Sequence, residues 1–315
     1  MPLSLRGGAV TAVLERHEGL ARIEVDGVSC VAYPLLTGPV ALGDDVIVNT
    51  QARDLGLGSG GFDVLYANLT RGLGLPAAPG AHVMQLPYTP LQNAARHVEE
   101  YEQLDDVVLR DMPVVCCSLH SQIAPVFAAL HRRRVAYVQL GGGALPVVLS
   151  DTLRVLRERS LLGLSVGVAP CFGGDIDCIT PASALLHVRS RGFEVAVCAI
   201  GPGIVGTASG FGHGGLAAVS AANAATALGG RPVIAVRASD ADPRERHRGR
   251  SHHTQRILEL CLGNVHVPED RHRKGWRRAC EGLPLEHMGR GPDEDPAFFA
   301  WAYAAGRLAR ELVMS

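Results

Sequence analysis

Lysine is almost missing from this chain: among 30 basic residues only Lys274 is a lysine. The skew reads as the composition of a GC-rich genome and not as function. Net charge is small as well. A formal charge of −1 over 315 residues disfavours a surface that wraps nucleic acid electrostatically, so nucleic acid is not an expected partner. No uncharged apolar run approaches the ~20 residues of a membrane-spanning helix. The longest candidate, 216–228, is alanine-rich and too short, so no membrane association is expected. The N-terminus "MPLSLRGGAVTAV" has one arginine but no long apolar core before a cleavage site, which predicts no signal peptide. The eight cysteines (Cys30, Cys116, Cys117, Cys171, Cys178, Cys198, Cys261 and Cys280) form no C-x-x-C pair. Several lie in apolar runs, where a free thiol behaves as a small hydrophobe. Together these absences predict a cytoplasmic protein with reduced thiols.

What is present is ample material for a core: 47% apolar and 19% charged residues, with no sign of global disorder. The length suits two domains, or one large domain with an appendage. Residues 7–70 alternate small and apolar residues with polar ones, with turn signals at 17–19 and at Asp26–Gly27. Short strands at this spacing predict a small β-barrel over residues 1–75. The stretch "LGLGSGGF" (55–62) reads as a glycine-rich turn before a further strand, 62–69. Residues 76–110 read as a linker and a helix, with Thr89 as N-cap and Pro90 at its first position.

From residue 111 to 315 the pattern becomes βα. Apolar runs at 112–117, 135–140, 164–169, 195–200 and 233–236 alternate with helical segments near 121–132, 150–161, 181–190, 216–228 and 252–262. Strands apolar throughout, separated by helices, predict a doubly wound α/β domain with a mainly parallel sheet. A final amphipathic helix, "DPAFFAWAYAAGRLARELV", closes the chain.

The stretch "IGPGIVGTASGFGHGG" (200–215) places Gly201, Gly203 and Gly206 in the G-x-G-x-x-G spacing of a dinucleotide turn. Four more glycines follow Gly206 before Leu216. Each costs a helix ~1 kcal/mol, so the helix is expected to start near Leu216. Pro202 lacks an N–H for a phosphate cradle, and no acid lies about 20 residues on. NAD is therefore disfavoured. What remains is a long glycine-rich loop between a buried strand and a helix N-terminus. Its backbone can approach a ligand closely and its helix start favours an anion. Thr207, Ser209 and His213 add polar groups; a tight structural connection is the alternative.

Other polar segments follow strands: "SLHSQ" (118–122), "GGGALP" (141–146), "GGDIDC" (173–178) and "SDADPRERHRGRSHHTQ" (239–255). Ligands in open parallel sheets bind outside the carboxyl ends of strands. Ser118 and Ser121 read more readily as helix caps than as nucleophiles. His120, near a helix start, suits a neutral base or hydrogen-bonding group. Asp175 and Asp177 read either as partial ligands of a divalent metal or as caps of the helix near Pro181. Ser251 reads as the N-cap that places His252 and His253 in a first turn. Adjacent helical positions differ by ~100°, so one of the two rings is expected to face the site. His120, His213 and one of the pair could then form an acid–base or zinc-like cluster, although the spacing fits no zinc signature. The basic runs 244–250 and 271–278 read as solvated loops sooner than phosphate holders.

The segments "SLHSQ", "GPGIVGT" and "SHHT", in this order and around these strands, resemble the bacterial domain-of-unknown-function family 3866, over nearly the whole chain. The resemblance implies a bacterial cytoplasmic protein of a family with no established activity, and it supplies no catalytic assignment. Ser118, His120, Ser121, Gln122, Gly201, Gly203, Thr207, His252, His253 and Thr254 lie in the matching segments. The residues themselves predict a site for a small anionic or phosphorylated ligand at the C-terminal edge of the sheet. The backbone of 201–215, including Gly206, would hold the anion, and His120, His213 and His252 or His253 would supply polar contacts or acid–base chemistry. A metal-dependent hydrolase using Asp175 and Asp177 is one alternative, a non-catalytic assembly protein another. The oligomeric state stays open.

Overall fold

The computed structural model describes residues 2–56 and 60–314. Its internal packing divides the chain into two units, Met1–Arg96 and His97–Ser315. The first is built on a closed barrel of β1 (Leu5–His17), β2 (Leu20–Val25), β3 (Val28–Ala32), β4 (Asp45–Asn49) and β5 (Asp63–Asn68), in the order β1-β2-β3-β5-β4. The alternation seen in the sequence is the inside–outside alternation of its wall: Ile23, Val25, Cys30, Val46, Val48 and Leu65 fill the interior. Asp26 and Gly27, both at positive φ, join β2 to β3 in a two-residue turn that sets Val25 opposite Val28. Two single-turn helices, α1 (Pro34–Thr37) and α2 (Gln51–Asp54), join strands in this unit. Of the glycine-rich turn expected at 55–62, residues 57–59 lie outside the described residues.

The helix expected from Thr89 does not form. Instead β6 (Val83–Gln85) and β7 (Asn93–Ala95) make a hairpin. Gln92 N–H donates to the Thr89 carbonyl at 3.0 Å, closing a turn with Pro90 at its second position. A fixed proline φ serves that position as well as a helix start, and here the turn wins.

The second unit carries a six-stranded parallel sheet in the order β11-β10-β9-β12-β8-β13. Its strands are β8 (Pro113–Cys116), β9 (Val135–Leu140), β10 (Leu164–Val168), β11 (Ile176–Cys178), β12 (Val195–Ile200) and β13 (Arg231–Ile234). Successive side chains go to opposite faces. Val115, Tyr137, Val197 and Val233 pack under α3 (Ile123–Ala129), α4 (Asp151–Glu158), α8 (Trp276–Ala279) and α9 (Pro296–Met314). Val114, Val138, Cys198 and Ile234 pack under α5 (Pro181–Ser190), α6 (Ala217–Ala227) and α7 (His252–Leu260). The sheet is therefore covered on both faces, as its continuous apolar strands predict. One strand lay hidden in the sequence: "GGDIDC", expected as a loop, contains β11, which pairs with β10. Among the described residues no helix is long and apolar enough to cross a membrane.

The connection after β9 leads to β10 on one side, and the connection after β12 leads past β8 to β13 on the other. The carboxyl ends of β9 and β12 therefore flank the position where such sheets open a crevice. Here glycine backbones meet across it. A Cβ on Gly143 would lie 2.3 Å from the Gly201 carbonyl oxygen, and one on Gly142 would lie 2.5 Å from that of Gly214. Ala144 N–H donates to the Pro202 carbonyl at 2.9 Å and Val205 N–H to that of Gly142 at 3.0 Å. Only glycine permits two loops to approach so closely.

Candidate functional site

The loop 201–215 folds back on itself. Gly206 bridges to His213, Thr207 N–H donates to the Gly212 carbonyl at 2.7 Å, and Gly214 N–H donates to that of Val205 at 2.7 Å. The Thr207 hydroxyl also donates to the Gly212 carbonyl, and Ser209 Oγ accepts from Phe211 N–H. Gly203 takes a positive φ within the turn. Several donors expected to cradle an anion are thus used inside the protein. The helix begins where expected, with a 3-10 turn at Gly214–Leu216 running into α6. What the hairpin delivers is His213, which it carries to the first turn of α7.

There the rings gather. His213 stacks on His253 with centroids 3.5 Å apart. His252 lies 4.5 Å from His253, and His247 lies 4.9 Å from each of them. Both rings of the adjacent pair belong to one cluster with His213 and His247. Ser251 caps α7 as expected, its Oγ accepting from His253 N–H at 3.3 Å. It also lies 2.7 Å from His247 Nδ1. His247 is delivered by a short ladder, β14 (Ala238–Ser239) with β15 (Gly249–Arg250), which returns the excursion 240–248 to the helix. The solvated-loop reading of 244–250 holds for Arg246, Arg248 and Arg250 but not for His247, which is 2% exposed.

Beside the rings sits a charged network. Asp242, fully buried, has the guanidinium of Arg244 at 2.8 Å, Arg290 at 3.5 Å and Arg237 at 3.7 Å. Arg290 also pairs with buried Asp295, which accepts from Ser239 Oγ at 2.6 Å. Three guanidinium groups thus share two carboxylates. Burial pushes the Asp242 carboxyl up, but the hydrogen bonds from Arg244 more than reverse this and hold it well below the usual range. Burial, with Arg244 next, pulls Arg237 down to about 10, which leaves it a cation at neutral pH.

The same two causes keep the histidines neutral. Burial first, then the neighbouring arginines, lower His247 to about 3 and His253 to about 2. His252 is lowered by burial, Arg246 and Arg237, and His213 by burial and His252. Arg237 Nη1 donates to His253 Nδ1 at 2.9 Å, so His253 carries its proton on Nε2. Several buried polar atoms here have no hydrogen-bond partner: His252 Nε2, Arg237 Nε and His287 Nε2. An unsatisfied buried group costs about 1–3 kcal/mol.

The other expected residues have other surroundings. His120 lies 3.2 Å from the Ile200 carbonyl and 2.7 Å from Ser150 Oγ; no hydrogen bond or ring contact joins it to the cluster. Burial lowers it to about 4. Gln122 Nε2 donates to the Ala235 and Val236 carbonyls while its Oε1 accepts from Ser118 Oγ and Leu119 N–H, pinning the start of α3 to the end of β13. Neither serine caps that helix through its side chain. Ser121 Oγ lies instead 3.2 Å from His287 Nδ1. Thr254 Oγ1 accepts from Arg237 N–H at 2.9 Å and holds α7 to the chain beyond β13. Asp175 bonds Arg157 and Ser165, and Asp177 accepts from Gly173 and Gly174 N–H. Asp175 directly precedes the edge strand β11 and Asp177 lies within it, at the opposite end of the sheet from β13. The cap of α5 is Thr180, not either aspartate. The residues missed in the sequence are Arg237, Asp242, Arg244, His247, His287 and Arg290. The one available signal was the crowding of arginine and histidine around so few acids between 237 and 253.

The model of a family described as a protein of unknown function, DUF3866, matches residues 29–281. The chain belongs to this family. No curated protein matches it. The DUF3866 match takes in His213, Arg237, Asp242, Arg244, His247, His252 and His253, whereas His287, Arg290 and Asp295 lie beyond it. The histidine cluster therefore sits within the matched DUF3866 segment, and part of its charged support comes from the following residues.

Proposed function

We propose that this protein binds a small anionic ligand, of the phosphate or carboxylate class, at the C-terminal edge of the parallel sheet. Arg237, Arg244 and Arg290 form the cationic wall, and His213 and His252 supply neutral polar contacts. The observation that carries this reading is Arg237: a buried guanidinium whose Nε has no acceptor, in a network with one more cation than anion. An anion there satisfies the orphaned donors and balances the charge. Partial exposure of Arg244, His252 and Arg290 gives a route in from solvent.

Calorimetric titration with inorganic phosphate and pyrophosphate tests the proposal. Saturable binding is expected, weakened about 10-fold or more in Arg290→Gln and Arg244→Gln, as the loss of a charge-assisted hydrogen bond implies. Absence of saturable binding, or equal binding by both variants, would contradict it.

A further inference from the structure

We propose that His247, His252 and His253 bind a divalent transition-metal ion of the zinc class, and that the ion releases Arg237 to meet the anion. Ligand nitrogens from the three rings lie within 4.8 Å of one another. Zinc–nitrogen bonds of ~2.0–2.1 Å in a tetrahedral set place the ligand atoms ~3.4 Å apart, so small side-chain rotations close the site. His252 Nε2 is buried and has no partner; with the ring proton on Nδ1 its lone pair is available to an ion. His247 has Ser251 Oγ at 2.7 Å from Nδ1. A proton on Nδ1 given to that oxygen leaves Nε2 for the ion, the outer-shell arrangement that fixes the tautomer of metal-bound histidines.

His253 makes the site conditional. A histidine that binds a metal through Nδ1 has no lone pair left for Arg237. One that binds through Nε2 carries its proton on Nδ1 and cannot accept from Arg237 either. Coordination by His253 and the 2.9 Å hydrogen bond from Arg237 are thus mutually exclusive, whichever nitrogen is used. The ion therefore frees a second donor group of a guanidinium whose Nε already lacks an acceptor.

The donor set also selects the metal. Three imidazoles suit zinc, cobalt, nickel or copper, whereas magnesium and calcium take oxygen ligands. The nearby carboxylate of Asp242 is held by arginines. Neutral ligands leave the ion's two charges uncompensated in an already cationic site, so the anion is the natural fourth partner. This coupling rests on the anion-binding reading above; the metal site itself does not.

The test uses the full chain stripped of metal by a chelator. Zinc is titrated calorimetrically, and cobalt by its visible absorption, which reports tetrahedral nitrogen coordination. One ion per chain is expected for wild type and for the control His82→Ala, in the other unit. Binding weakens about 100-fold in His252→Ala, and in His247→Gln should the first variant not fold. Equal affinity in wild type and His252→Ala, or no stoichiometric binding, overturns the site. Phosphate is then titrated with and without zinc. About tenfold tighter phosphate binding with zinc is expected from the coupling. Phosphate binding without any zinc binding removes the metal site and leaves the anion reading standing. Zinc binding with no phosphate binding in either state removes the anion reading and the coupling, and leaves the metal site.

Discussion

Arg237 donates to Nδ1 of His253 across 2.9 Å, where the chain leaving β13 meets the first turn of α7. The bond joins a cation to a neutral ring, and burial first and the Arg237 charge next hold that ring neutral. The bond places the histidine cluster directly against the arginine network.

Replacing Arg237 separates the two ligand chemistries. Arg237→Met removes the competitor for His253 and one wall of the anion site, in a side chain of similar length. Zinc is expected to bind more tightly to this variant than to wild type, and phosphate about 10-fold or more weakly. The two titrations on one sample give opposite signs if the account holds. A parallel loss of both would show that Arg237 supports the fold of the site and nothing more.

Asp242 is the counter-charge on which the arginines depend. Asp242→Asn leaves three guanidinium groups around a neutral amide, and breaking a buried charge network this way costs about 3 kcal/mol. Urea unfolding at neutral pH measures it. Because the carboxyl is held below its ordinary range, its contribution is present above about pH 4 and is lost as pH falls further. Asp242→Asn should flatten the acid limb of the stability curve in that lower window.

His120 sets a different window. Its ring is lowered from 6.5 to about 4, so between those values the unfolded chain takes up a proton that the folded protein refuses. Stability from this group is complete above pH 6.5, declines as pH falls, and levels near pH 4. Unfolding free energies measured across this range should show a shallower slope in His120→Gln. An unchanged slope would mean that the ring is not held neutral.

How much of this was legible in the sequence follows from how each residue is set apart. Strands β8, β9, β10, β12 and β13 were readable because a strand buried on both faces is apolar at every position. β11 was not, because three residues containing Asp177 carry no such run. Thr89–Pro90 fits a turn and a helix start equally, and only the pairing of β6 with β7 decides between them. His213, His252 and His253 were singled out from their place after strands or in a capped helical turn. His247 was not, since burial of one residue inside an exposed arginine run has no periodicity to betray it. Arg237 and Asp242 owe their importance to each other and to His287 and Arg290 far along the chain, which no local pattern encodes.

The glycine contacts give a test of the fold beneath the site. A Cβ on Gly214 would lie 1.9 Å from the Gly142 carbonyl oxygen, backbone against backbone, whereas one on Gly7 meets nothing within 4 Å. Gly214→Ala should destabilise the protein by about 2 kcal/mol or more, as overpacking does, and Gly7→Ala by little. Denaturant midpoints of the two variants measure the difference.

The most direct measurement is a set of long-range proton–nitrogen spectra of the imidazole rings, recorded on the metal-free protein as phosphate is added. Saturable shifts of His213 and His252, with His120 unmoved, are the predicted result. If those two rings do not respond, or His120 responds as strongly, the anion does not bind at this cluster and the central claim fails.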